Sequence, residues 1–596
     1  MPRPMYVALI LISSLVMCAG AQLCTDIERE MNAVAAERNG TSPCNCYYDG
    51  IFNGVSGISI SCASAPVSQI YESLQTMNNT AVASLTIRDG LVNILTSNIF
   101  ETVQPKKLFV ERCSLSVIRN NTIDTLGSSL EVLSLRKNKL KKLENWYFKG
   151  LEHVKTLDLS INKLQVISTD VFSDLTNLEE LVLNDNEIFD ISDGAFEKMT
   201  KLKTLTISKN KLTEIRSDTF KGLENLETLQ LQENSIAYVD WTAFSKMKKL
   251  KTLNLGNNQL TKVELRGLDS LEKLLLNNNL IDSLKKVKFS GLLSLNILSF
   301  DGNQITEIGD MDLSGLRKST KFESLTFSAN NISSIGARAF QHVKNLVSLS
   351  LQNNQISDLS TNNTSFLKYL EKLTYLQISN NNFTTIRSSE LPRSLTHFAA
   401  DHNAISEIEP KAFEGIALKR IYLNNNRLHF LHQNAFSSFG PTTIEAIDLS
   451  SNEWQCICKS ASEWLPRWLA EAEESDVSEG PVGCLAIPDC GKEISDENKG
   501  SEDEEEAQRS MWITVAASFF AVLSVVILLA IVYLYYQDGG HQALTRARRA
   551  DSDLHKLIEN DGLCGLPETT LIAPGPILKQ PTANTGNRKV VRFEEC

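Results

Sequence analysis

LKTLTISKNKL (202–212), LETLQLQENSI (226–236) and LKTLNLGNNQL (250–260) share one pattern. Leucine-type residues stand first, fourth, sixth and eleventh, and an asparagine stands ninth. Outward from these three, the pattern continues through LEELVLNDNEI (178–188), VKTLDLSINKL (154–164) and LEVLSLRKNKL (130–140) on one side. On the other it continues through LNILSFDGNQI (295–305) and LVSLSLQNNQI (346–356). The ninth-place asparagines fall at 138, 162, 186, 210, 234, 258, 279, 303, 330, 354, 381, 403, 426 and 452, mostly 24 residues apart, with gaps from 21 to 27. Two weaker units precede them with Gly90 and Cys113 in the ninth place, which makes sixteen. A period of this length predicts a solenoid of stacked units, none of which could bury its apolar face alone.

The pattern has a direct physical reading. The fourth and sixth residues point inward from a short strand, and neighbouring strands pair in parallel about 4.8 Å apart. An asparagine carries both donor and acceptor, so at the ninth place it can satisfy backbone groups of adjacent turns inside the stack. Cys113 is a weak substitute in that role and reads as a buried structural thiol. Phenylalanine precedes a leucine-like residue in the second half of many units, as in Phe148/Leu151, Phe172/Leu175, Phe220/Leu223 and Phe289/Leu292. Because these rings recur with the structural period, they belong to the core of the outer side and not to a ligand site.

These units resemble the extracellular leucine-rich repeat family over residues 82–454. The resemblance implies an α/β repeat solenoid, a curved horseshoe with a parallel concave sheet and a cysteine cap at each end. Cys24, Cys44, Cys46 and Cys62 precede the array in a first cap, 22–81, and Cys456, Cys458, Cys484 and Cys490 follow it in a second, 455–490. Taken alone, four cysteines permit three pairings. A zinc site is the rival reading, disfavoured by the lack of matching histidines. The resemblance implies Cys24–Cys46 with Cys44–Cys62, and Cys456–Cys484 with Cys458–Cys490. The stretch between Cys24 and Cys44, which contains DIEREMNAVAAER, is longer than the family's usual cap spacing.

Composition narrows the function classes. With 596 residues, 42% of them hydrophobic, the chain is too apolar to be disordered over most of its length. A net charge of −12 excludes an overall basic nucleic-acid binder, so no nucleic-acid partner is expected. The charge is local: residues 471–506 hold fourteen acidic and two basic side chains, and 491–510 read as an acidic, self-repelling stalk. Arg3, the apolar run from Tyr6 to Met17 and Ala19-Gly20-Ala21 read as a signal peptide over 1–21. The uncharged run 511–536, with Trp512, Tyr533, Tyr535 and Tyr536 near its ends, reads as a transmembrane helix. Glu502–Glu506 lie before it and Arg546, Arg548 and Arg549 after it. That asymmetry predicts a single-pass type I protein of the plasma membrane with its N-terminus extracellular. The tail, 537–596, reads as disordered and leaves no room for a kinase or a Toll-like receptor signalling domain. Lys589, Val591 and Phe593 near its end resemble the docking motif for type-1 protein phosphatase, with Val and Phe entering two apolar pockets from an extended strand.

Candidate sites come last. Seven N-glycosylation sequons stand at Asn39, Asn78, Asn120, Asn331, Asn362, Asn363 and Asn382. The third and fifth positions of each unit face solvent from the sheet, and between 132 and 350 they are mainly small or neutral. At the second position the charge alternates through Lys155, Glu179, Lys203, Glu227, Lys251 and Glu272, which reads as self-complementary structure. Near the end the facing residues become Tyr375, Gln377, His397, Arg420 and Tyr422, with Asp401 and His402 nearby. Tyr and Arg are enriched at binding hot spots, so these five are the candidate ligand-binding residues. No nucleophile–base pair, metal cluster or phosphate loop stands out, so neither catalysis nor a cofactor is expected. The function expected is a cell-surface recognition or adhesion receptor whose concave face binds an extracellular protein ligand, a second copy of the chain included. In this it resembles insect adhesion proteins of the Capricious and Tartan type. One alternative is an innate-immune receptor or co-receptor resembling a Toll-type ectodomain without its signalling domain. Another is a non-catalytic scaffold subunit of an extracellular complex.

Overall fold

A computed structural model describes residues 22–52, 55–77 and 80–454, with 464, 465, 468 and 469, all within one compact unit. The expected signal peptide, the cysteines of the second cap, the stalk, the span 511–536 and the tail with Lys589, Val591 and Phe593 lie outside these residues, as does Asn78.

Eighteen strands form one sheet. The first two, Cys44–Phe52 and Val55–Ala63, make an antiparallel hairpin. From there each strand pairs in parallel with the next in sequence, through Thr80–Arg88 and Val103–Glu111 to Arg420–Tyr422 and Ala446–Asp448. Outside the hairpin there is one strand for each of the sixteen units. Most are three residues long, as in Thr204–Thr206 and Thr228–Gln230, where Leu205 and Leu229 pair in register and are fully buried between half-exposed flanks. The alternation that hides the fourth residue exposes the third and fifth, and β-branched threonine suits that half-buried surface.

A left-handed residue in the eighth place ends each strand region. Lys209, Asn257, Asn353, Asn380 and Asn425 have φ between 52° and 57°, and Gly302 has 64°. Asparagine recurs because it tolerates this region. Ile161 at φ 54° is β-branched and adopts it at a cost.

That turn aims the ninth side chain into the stack. Asn186 Oδ1 accepts the N–H of Leu164 at 3.0 Å, and its Nδ2 donates to the carbonyls of Leu159 and Leu183 at 3.0 Å each and of Asn184 at 3.3 Å. Asn162, Asn258 and Asn354 repeat the same bonds. Cys113 takes part of the role. Its Sγ lies 3.4 Å from the Ile87 carbonyl and 3.2 Å from that of Glu111, and the Val92 N–H that a side-chain acceptor would take is met by the Cys113 carbonyl at 3.2 Å. The thiol is fully buried, and burial pushes its pKa up, away from the reactive thiolate.

Behind the sheet runs a spine of rings. Phe148, Phe172, Phe196, Phe220 and Phe244 stack in succession with centroids 5.7, 6.2, 6.4 and 5.9 Å apart. Phe289 departs from the expected series. The 21-residue gap between Asn258 and Asn279 shortens the unit before that of Phe289, and Val287–Ser290 becomes a strand paired with Val263–Arg266 of that shorter unit. Phe289 is only half-buried there, and rings of the series pack on one another again at Phe340 and Phe366, 5.9 Å apart.

The first cap is closed by Cys24–Cys46 and Cys44–Cys62, the pairing the resemblance implied. Its long spacing is a helix, residues 22–36, which buries Ile27 and Met31 and whose Glu28 accepts the Cys46 N–H at 2.8 Å. At the other end Trp464 donates to the Leu431 carbonyl at 3.2 Å, and Trp468 packs 5.2 Å from Phe436 and 6.2 Å from Phe439. Among the described residues no helix is long and apolar enough to cross a membrane.

Candidate functional site

Through most of the array the sheet face neutralises itself. Lys155 meets Glu131 at 2.9 Å, Lys203 meets Glu179 at 2.6 Å and Lys251 meets Glu227 at 2.8 Å, each pair bridging adjacent units. The hydrogen bond to its lysine holds each carboxyl below the usual range.

The five candidate residues come together on three adjacent strands, Tyr375–Gln377, His397–Ala399 and Arg420–Tyr422. Tyr375, His397 and Arg420 form one row in register, continued by Ala446. Gln377 and Tyr422 lie in the second row with Ala399 between them, and Asp448 follows. Small Ala399 leaves a dip between two larger side chains. All five are half-buried. The rings of Tyr375 and His397 are 5.8 Å apart and inclined by 41°. His397 Nδ1 is 2.8 Å from the hydroxyl of Thr396, and Arg420 Nε donates to Glu445 at 3.2 Å, which also takes Lys419 at 3.1 Å.

Burial sets the protonation of this patch. It lowers the His397 pKa, and the charge of Arg420 lowers it further, so the ring is neutral at pH 7. Burial, then the neighbouring Tyr422, pushes the Tyr375 hydroxyl up to about 12, and burial raises Tyr422 as well. The patch therefore offers neutral hydroxyls and a neutral imidazole beside one guanidinium. Asp401 and His402 stand just outside it, on the turn after the strand. The carboxylate holds the His402 ring at 2.8 Å, and His402 itself is the left-handed residue at φ 53°.

The sequence reading missed what braces Gln377. Asp301 accepts the hydroxyls of Ser299 at 2.9 Å and Thr326 at 2.7 Å and the Ser328 N–H at 2.6 Å. Ser328 and Ser350 share a 2.9 Å hydroxyl bond, and Ser350 donates to Gln377 Oε1 at 3.0 Å. The signal was an acid in the seventh place, where serine or asparagine is common. Glu445 was legible too, as a second-position charge opposite Lys419.

The sequons Asn39, Asn120, Asn331, Asn362, Asn363 and Asn382 are exposed. Asn362 and Asn363, at φ 53° and 58°, form the two-residue turn of a hairpin between Ser360–Thr361 and Thr364–Ser365. Among the described residues no group of three or more His, Cys, Asp or Glu side chains could hold a metal ion.

Comparison with known proteins fits this architecture. The leucine rich repeat profile matches residues 128–188, 176–236, 224–281 and 393–453. The profile of the BspA type leucine rich repeat region (6 copies) matches 265–392. Of solved structures, the Leptospira interrogans protein LIC12759 aligns over 70% of this chain and 93% of its own at 21% identity, TM-score 0.50. The Drosophila Toll–Spatzle complex aligns over 70% of this chain and 60% of its own at 18% identity, TM-score 0.53. Both show the fold alone. The Caenorhabditis elegans "P-granule-associated novel protein 1" is 56% identical over 583 residues, 96% of each chain. Its name corrects the expected location, a single-pass type I protein of the plasma membrane: the relative is named for an association with P granules. The expectation rested on hydropathy and flanking charge at 511–536, which describe what a segment can do and not where the protein resides. Leucine-rich repeat proteins commonly mediate protein–protein recognition, and by the two profiles and the nematode relative this chain belongs to the leucine-rich repeat family.

Proposed function

We propose that this protein is a non-catalytic recognition module whose sheet face binds a protein partner over Tyr375, Gln377, His397, Arg420 and Tyr422. The row Tyr375, His397, Arg420 carries the reading: two rings and a guanidinium on adjacent strands, where the two preceding strands hold Ser324 and Ser348 in the same row. Tyr and Arg concentrate binding energy when they sit at the centre of a contact. These side chains are already held by neighbours, so ordering them on binding costs little. The test is an affinity capture from cells expressing the full chain or its Arg420→Ala/Tyr422→Ala variant. A partner retained by the wild type and lost from the variant is expected; an unchanged set of partners would reject the site.

The name of the nematode relative supports a second reading, in which the partner belongs to a P granule. Co-localisation of a tagged chain with P-granule markers is expected, and its exclusion from the granules would refute this. The remaining sequence motifs stand as further proposals. Val591→Ala/Phe593→Ala should lose type-1 protein phosphatase; a tail that retains it rejects the motif around Lys589. Peptide mapping by mass spectrometry reads the glycans proposed at the seven sequons and the bridges Cys456–Cys484 and Cys458–Cys490.

A further inference from the structure

The loop edge that follows the strands breaks the charge-pairing habit of the sheet in the first units. LRKNKLKK (135–142) puts Arg136, Lys137, Lys139 and Lys141 on one turn, all exposed and none in an ion pair among the described residues. Backbone bonds fix what lies beside them. The Arg112 N–H donates to the Arg136 carbonyl at 3.2 Å, that of Lys137 to Ser160 at 2.9 Å, and that of Lys163 to Leu140 at 2.8 Å. Arg112 and Lys142 are neutralised by Asp89 and Glu144, which leaves the four on the turn and the exposed Lys163 beside them.

An apolar strip adjoins this turn. Ile94 and Val117 pair in register and are 40% and 41% exposed, and Leu91, on the same loop as Ile94, is 70% exposed. Trp146, 37% exposed, donates its indole N–H to the Ile118 carbonyl at 3.4 Å and so lies against the same strip. In the repeat register Lys142, paired with Glu144, occupies the position of Ile94 and Val117 one unit on, which places the cationic turn next to the apolar strip in the stack.

We infer that this edge docks an acidic protein segment carrying apolar side chains among its carboxylates. Unpaired cations select an anionic partner and steer its approach. The apolar strip selects a partner with apolar side chains, which neither a sulfated polysaccharide nor a phosphate backbone provides. Stacking of bases would need aromatic platforms, and Trp146 alone stands here. The surface belongs to residues 91–163, remote in sequence from Tyr375 to Tyr422, so the two sites can be broken separately.

The test uses the full chain and four labelled probes at matched charge: a random glutamate–tyrosine copolymer, polyglutamate, polyuridylate RNA and heparin. The copolymer is expected to bind about tenfold tighter than polyglutamate, a difference of about 1.4 kcal/mol. Arg136→Ser/Lys137→Ser/Lys139→Ser/Lys141→Ser should weaken both about tenfold or more and flatten their salt dependence. Leu91→Ser/Val117→Ser should bring the copolymer down to the polyglutamate level and leave polyglutamate unchanged. Lys246→Ser/Lys249→Ser, at exposed lysines elsewhere, should bind like wild type. Thermal melts confirm folding, and Lys137→Ser/Lys141→Ser replaces the fourfold variant if that one melts early. Tighter binding of RNA or heparin than of the copolymer, or wild-type binding by the serine variants, would overturn the inference.

Discussion

The strands from Val132 to Ser350 and those from Tyr375 to Tyr422 share one backbone, one register and one asparagine ladder, yet they present different surfaces. The first group shows small hydroxyls between pairs such as Lys203–Glu179. The second shows two tyrosines, a histidine, a glutamine and an arginine. Where the surface follows the repeat, its residues answer to their neighbours in the stack. Where it departs while the core beneath stays regular, the repeat alone does not dictate the change, and that departure is what the proposed partner site rests on.

That contrast can be broken first in the regular part. Phe196, stacked between Phe172 and Phe220, is fully buried, so Phe196→Ala should cost about 4 kcal/mol in urea unfolding. Asn186→Ala strands the Leu164 N–H and leaves the carbonyls of Leu159 and Leu183 without their side-chain donor, a loss of about 3 kcal/mol by the same measurement. Ile161→Asn replaces a β-branched residue at φ 54° and should gain about 1 kcal/mol. In the other region Arg420→Ala/Tyr422→Ala should change stability by less than about 1 kcal/mol while removing the partner. A loss as large as that of Phe196→Ala would make these side chains structural.

The smallest effect is a pH dependence. Burial depresses the His397 pKa in the folded state below its unfolded value, so between the two the unfolded chain binds more protons. The stabilisation is present above the unfolded pKa and is lost as pH falls through the folded pKa. Urea midpoints at pH 7.5 and 5.5 should therefore differ more in the wild type than in His397→Gln.

The solenoid was legible because its rule is stated fourteen times. Each ninth-place asparagine pins a turn, and the leucines at four, six and eleven fill what the turn encloses. The helix of 22–36 was not legible, since a single unrepeated segment offers only local propensity and its packing on the disulfide hairpin comes from outside itself. Phe289 misled for the opposite reason: its own unit kept the length and the residue type, while the shortened unit before it changed the backbone it packs on. Of the candidate site, the side chains facing out could be counted off from the register. The brace from Asp301 through Ser328 and Ser350 to Gln377 spans four units, and no spacing within one unit announces it.

The central claim, recognition through the end of the sheet and not its middle, is tested most directly by photo-crosslinking in cells. Benzoylphenylalanine is placed instead of Ala446, beside Arg420, or instead of Thr228 in the regular part. A protein adduct from position 446 that disappears with Arg420→Ala/Tyr422→Ala, and none from 228, is the predicted result. An adduct from 228 alone, or one from 446 that survives both alanines, would contradict it.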